Sequence, residues 1–121
     1  MSDITPTVTQ SGDGSVKYFV FEGIGDGDTG TPIPFAEWAD RSVQIVGTFG
    51  SGGTVAWEGS NDGVTWATLS DPQGNAISKT GAALEQVAEI TKWARPHVTA
   101  GDGTTDIDVH VVCRRQNNMR T

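Results

Sequence analysis

The chain has 121 residues, 16 glycines, one cysteine and a net charge of −7. That length fits one domain with one hydrophobic core and excludes two. An acidic chain of this kind is a poor match for nucleic acid, which needs clustered Lys and Arg, and the absence of a long Ala/Glu/Lys/Leu/Arg stretch argues against a helical protein.

Glycine-rich turns between short apolar runs predict an all-β fold, an antiparallel β-sandwich of jelly-roll type. Residues 1–14 are polar and rich in Thr, Ser, Gly and Asp. They form either a disordered leader or an extended arm that pairs with a neighbour. The opening Met1-Ser2-Asp3-Ile4-Thr5-Pro6 lacks the basic and apolar regions of a signal peptide. Ser15–Glu22 reads as a strand with Val16, Tyr18 and Val20 on one face and Phe19 and Phe21 on the other. Apolar groups on both faces predict either a strand covered on both sides or one whose outer face meets another subunit. Gly23–Thr31 is a loop whose Asp26 and Asp28 lack the full spacing of an EF-hand calcium loop, so they read as solvated turn acids.

Phe35 and Trp38, after two prolines, are expected to plug the core. Arg41–Gly50 is a strand with Val43, Ile45 and Phe49 on one face. Thr54–Leu69 reads as a hairpin around Asn61-Asp62-Gly63, since Asx-Gly tolerates the positive φ of a tight turn. This pattern predicts a meander of strands 42–49, 54–59 and 64–69 that brings Trp57 and Trp66 into the core. Ser70–Asn75 is a turn. Residues 76–90 fit either two helical turns or a strand–loop–strand carrying Val87 and Ile90 inward, and irregular or strand structure suits an all-β chain better. Trp93–Ala100 is a strand that Pro96 assigns to an edge or a bulge. In the last strand, Thr105–Arg114, Ile107, Val109, Val111 and Cys113 face inward, with Asp106, Asp108 and His110 outward. The domain is therefore 15–115, with an arm at 1–14 and a polar tail at 116–121.

No residue set has the look of a catalytic site, and a non-enzyme is expected. His97 and His110 have no ligand partners at metal spacing, Cys113 has no activating neighbour, and the glycine-rich runs lack the Gly-Lys-Ser/Thr ending of a phosphate loop. No cofactor is predicted. No apolar run approaches the ~20 residues of a membrane span, and a lone buried cysteine fits folding in a reducing compartment. Up to Cys113 the chain carries 5 basic against 15 acidic groups, a net of −10, whereas Arg114, Arg115 and Arg120 lie in the last eight residues. These arginines fit either a frayed, solvated terminus or contact with an acidic partner surface.

Gly59-Ser-Asn-Asp-Gly-Val-Thr-Trp66, followed by Lys92-Trp-Ala-Arg95, resembles the hairpin and later strand of discoidin-like, galactose-binding-like jelly rolls. The hairpin is also similar to a sialidase Asp-box one residue shorter. Both patterns are structural. A broader resemblance covers about residues 5–112. It runs through Asp28-Thr-Gly-Thr-Pro32, Asp40-Arg-Ser-Val-Gln44, Gly47-Thr-Phe-Gly50, the Gly59–Trp66 hairpin, Asp71-Pro-Gln-Gly-Asn75, Arg95-Pro96 and Ala100-Gly-Asp-Gly103. It resembles the small head decoration, or cement, proteins of tailed bacteriophages.

That resemblance implies a homo-oligomer, commonly a trimer, made in the host bacterial cytoplasm. It implies binding to the major capsid protein on the outside of the virion capsid, without nucleic acid or membrane. The matching phrases carry no binding residues. The physical reading instead nominates Ile4, Thr5, Val8, Tyr18, Arg114, Arg115 and Arg120 as shell or subunit contacts. Two other readings remain: a jelly roll that binds a surface glycan on the virion, and a phage tail component.

Overall fold

The computed structural model describes residues 3–115. Twelve strands follow one another: β1 (Asp3–Ile4), β2 (Thr7–Gln10), β3 (Val16–Ile24), β4 (Thr29–Gly30), β5 (Ile33–Pro34) and β6 (Asp40–Thr48), then β7 (Thr54–Ser60), β8 (Ala67–Thr68), β9 (Ser78–Lys79), β10 (Ala83–Gln86), β11 (Trp93–Ala100) and β12 (Asp106–Arg114). They form two stacked sheets. The first has the order β1-β4-β11-β7-β8, with β5 added to β11 and β9 to β7; the second has the order β10-β6-β12-β3-β2. Neighbours are antiparallel except β1 and β4. The expected all-β sandwich is present, and no helix of the described residues could cross a membrane.

Alternation writes the core. Ile107, Val109, Val111 and Cys113 of β12 are all buried, as are Phe19 and Phe21 of β3 and Val43 and Ile45 of β6. Val55 and Trp57 of β7 and Ala94 and Val98 of β11 meet them from the first sheet. Phe35 and Trp38 fill the core, as their spacing predicts. Residues 76–90 resolve into the short strands β9 and β10, with Val87 buried but Ile90 64% exposed.

The leader pairs with the chain's own sheets. β1 lies beside β4 in the first sheet and β2 beside β3 in the second, so residues 3–10 cross from one layer to the other. The tail at 116–121 lies outside the described residues.

Two expectations are corrected. The meander does not form: β6 belongs to the second sheet and β7 to the first. The Phe49–Gly53 turn carries the chain between layers, held where Thr105 Oγ1 donates to Phe49 O at 2.8 Å and Ser51 N to Asp102 Oδ2 at 2.9 Å. Burying the apolar faces of both strands is achieved by facing them across the core, and the local pattern is the same either way. Trp66 is also not in the core. Leu69 N donates to Trp57 O, which places Leu69 opposite Trp57 and makes it the inward residue. Trp66 then has the opposite parity.

Pro96 sits inside the first sheet rather than at its edge. Trp57, its partner on β7, bonds with Ile77 O and Leu69 N on the far side. The pair is thus of the non-bonded kind, and the missing N–H of Pro96 points toward the break where β11 changes partner from β5 to β4. The predicted bulge falls later, between Val98 and Ala100.

Gly30 sits where the first sheet packs against Phe21 of the second. A Cβ there would meet Pro96 Cδ at 2.5 Å and Phe21 Cε2 at 2.6 Å. Both neighbours are ring atoms without freedom to retreat. Gly30→Ala is expected to destabilise the fold by about 1–3 kcal/mol through overpacking. Urea unfolding should show a lower midpoint with an unchanged slope.

Candidate interaction surfaces

The outer face of the second sheet carries two of the nominated contacts, Tyr18 and Arg114. Register places Tyr18 beside Val112 and Thr9, Val20 beside His110 and Thr7, and Val16 beside Arg114. On the far side of β12, Val112 neighbours Ser42, His110 neighbours Gln44, and Asp108 neighbours Val46. A solvated sheet face ordinarily alternates to polar residues. Here the outward positions of three adjacent strands include Val16, Tyr18, Val20, Val46 and Val112, and Tyr18 and Val112 are 39% and 40% exposed. At one end Val16, Ser42, Gln86, Val112 and the Asp40–Arg114 pair line a shallow hollow of about 450 Å³.

The arginines beside this face are held by the chain's own acids. Arg114 Nη2 lies 2.6 Å from Asp40 Oδ2. Arg115, of opposite parity, reaches Glu37 Oε1 at 2.8 Å and covers the Trp38 ring at 5.1 Å. Exposed pairs of this kind contribute about 0–1 kcal/mol, so a partner's carboxylate can replace Asp40 or Glu37 at small cost. Val8 is an exposed member of β2, whereas Ile4 is half-buried against the core and its carbonyl takes the Thr31 N–H. Thr5 is exposed on the link between β1 and β2. Arg120 lies outside the described residues.

The outer face of the first sheet is polar and was not foreseen as a unit. Glu58 Oε1 accepts from Arg95 Nε at 3.0 Å, and Glu58 Oε2 lies 3.0 Å from His97 Nδ1. The Arg95 guanidinium stacks on Trp66 at 4.1 Å. Trp93, on the same face, joins Pro32, Asp62 and Gly63 around a hollow of about 380 Å³. The alternation of Trp93, Arg95 and His97 along β11 was readable; the parity of Trp66, which completes the cluster, was not.

The Asn61–Trp66 loop below this cluster is built by one carboxylate. Asp62 Oδ1 accepts from the Val64 and Thr65 amides and from Ser60 Oγ, each at 2.8 Å. Gly63 takes the positive φ that the turn requires. The backbone N–H of Thr65, then that of Val64, lower the Asp62 pKa to about 2. Asp13, held first by the Ser15 amide, and Asp102, held first by the Thr104 hydroxyl, also fall to about 2. Burial pushes the Cys113 thiol up to about 12, which makes it a structural rather than a reactive group. Asp28 accepts from Gly25 N within its own loop, as a turn acid does. Burial also lowers the Arg41 pKa; this guanidinium, hidden in the core, stacks on Phe35 at 4.6 Å and donates to Val87 O.

No family model and no curated protein matches the chain. Among solved structures, YomS, a protein derived from the SPBc2 prophage, superimposes with a TM-score of 0.61 at 12% identity, over 81% of this chain and 93% of that one. The cobalt(II) form of HppE aligns at a TM-score of 0.49 and 12% identity, over 89% of this chain and 51% of its own. The Neisseria meningitidis protein NMB1881 aligns at 0.42 and 9%, over 88% and 79%. At these identities the likeness to YomS is one of fold, and the other two are too loose to bear on function.

Folding lowers the pKa of the three turn carboxylates, so the native state holds their protons less tightly than the unfolded chain. Their contribution to stability is fully present above the ordinary value of 3.8 and is lost as pH falls toward about 2. Carboxyl carbon NMR is expected to show the Asp62 midpoint near 2. Asp62→Asn should flatten the loss of stability across that window.

Proposed function

We propose that the protein is a structural component of a phage particle, a decoration protein that binds the outside of the capsid and stabilises it. Its partners in this reading are the major capsid protein and copies of itself in a cyclic oligomer, a trimer in the form that the sequence resemblance implies. It performs no catalytic step. The observation that carries the reading is the apolar outer face of the second sheet. Val16, Tyr18, Val20 and Val112 sit where a solitary sandwich would present polar groups. Likeness of fold to a prophage-derived protein supports the same setting.

The physics suits a lattice. A closed shell repeats the same shallow site many times, and an oligomer that engages several at once multiplies weak contacts. Asp40–Arg114 and Glu37–Arg115 beside the apolar row supply a polar rim that can exchange partners.

A second reading draws on the first sheet. Trp66 and Trp93 are both half-buried on its outer face beside Arg95 and His97, and aromatic platforms flanked by polar groups suit a glycan. Glycan-array hits that vanish in Trp93→Ala would favour it.

The leading reading is tested by cosedimentation with expanded shells stripped of the protein. Wild type is expected to pellet with them. Val112→Glu should weaken binding roughly tenfold to a hundredfold, from the ~1.5–3 kcal/mol of one buried aliphatic side chain. Its folding stability should stay within about 0.5 kcal/mol of wild type, because the position is on the surface. Failure of the wild type to bind, or undiminished binding by Val112→Glu, rejects the proposal.

A further inference from the structure

Thr7–Gln10 of β2 forms one edge of the second sheet, paired only with β3 among the described residues. Ser11 N donates to Val16 O at 2.9 Å. In an antiparallel ladder, bonded pairs recur at every second residue. Thr9–Tyr18 and Thr7–Val20 are therefore the bonded pairs, and the backbone N–H and C=O of Val8 and Gln10 face the open edge.

Natural sandwiches blunt such edges with shortness, charge, proline or a bulge. The first sheet follows that rule, since its outer strands β1, β8 and β9 have two residues each. β2 has four residues and an unbroken register with β3. No charge falls between Ile4 and Gly12, and Pro6 stops short of the strand. Val8 supplies a second observation. It lies opposite Phe19, which is buried in the core, yet it is 47% exposed. The first sheet leaves it uncovered.

We propose that this edge binds a second copy of the chain, β2 running antiparallel to β2 about a two-fold axis at Thr9. The spacing is self-complementary. With Thr9 of each copy on the axis, Val8 of one faces Gln10 of the other, and the reciprocal N–H···O=C bonds form without any shift of register. An edge free of charge lets two copies of an acidic chain approach without the like-charge repulsion that their other surfaces would impose. The two second sheets then become one continuous sheet, and the Tyr18–Thr9 row of one outer face runs on into the other. An isologous contact of this kind is the commonest way for identical chains to pair. The inference does not depend on which particle the protein joins.

The test is light scattering of the full chain across a concentration series, with amide exchange read by NMR. Wild type is expected to pair through this edge, as a dimer or, where a trimer forms through another face, as a hexamer, with the Gln10 amide protected in either. Val8→Pro removes an N–H that β3 does not use, so the intrachain ladder survives. It should weaken the dimer on the order of tenfold or more, since each copy loses a hydrogen bond. Thr9→Lys serves if proline disturbs the fold. It sets two ammonium groups against each other on the axis and should weaken the dimer by a comparable factor. A wild-type monomer at the highest concentration, an oligomer whose Gln10 amide exchanges freely, or a dimer that both variants leave intact would each overturn the proposal. The second outcome would leave the outer-face reading of assembly standing.

Discussion

The indole of Trp57 sets the distance between the layers. It is 1% exposed, rises from β7 of the first sheet, and meets Phe21 of the second edge-on at 6.5 Å and Phe35 at 5.7 Å. Edge-to-face pairs of this kind contribute about 0.5–1.5 kcal/mol each beyond their buried area. The greater consequence is geometric. One large rigid side chain spans a gap of ~10 Å between sheets. Smaller neighbours then fill what is left: Gly30 has no room for a Cβ, and on the ring's own strand Gly59 has none either, with Ala94 as its partner on β11.

Once the interior is fixed, the two outer faces are free to differ. The second sheet turns Val, Tyr and His outward between charged ends, whereas the first turns out Glu58, Arg95, His97, Trp93 and Trp66. The two hollows, one beside Val112 and one beside Trp93, are shallow and open. The carboxylate-built turns at Asp13, Asp62 and Asp102 hold the loops without help from the core. A scaffold so constrained presents its outer faces without having to order them on binding, which lowers the entropic cost of association.

Alternation made most of the sandwich legible. Every inward residue expected of β12 is buried, and β3 carries apolar groups on both faces as its sequence reads. The failures came where a local pattern has two solutions. The run from Val43 to Trp57 fits a hairpin and a crossover between layers equally well, because both bury the same side chains. The Asn61-Asp62-Gly63 signal located the turn but not its length, and Asp62 stretches the loop far enough to reverse the parity of Trp66. The candidate surfaces were legible in part for the same reason. Outward Tyr18 followed from strand parity alone. The Glu58–Arg95–His97 group needed the β7–β11 register, a long-range fact that no short pattern carries.

In the proposed role the second sheet's outer face is the side that meets the particle. Hydroxyl-radical footprinting of the protein free and on its virion compares the two faces directly. That role requires Tyr18 to become protected on the virion while Trp93 keeps its free reactivity. Protection of Trp93 with an unchanged Tyr18 would contradict it.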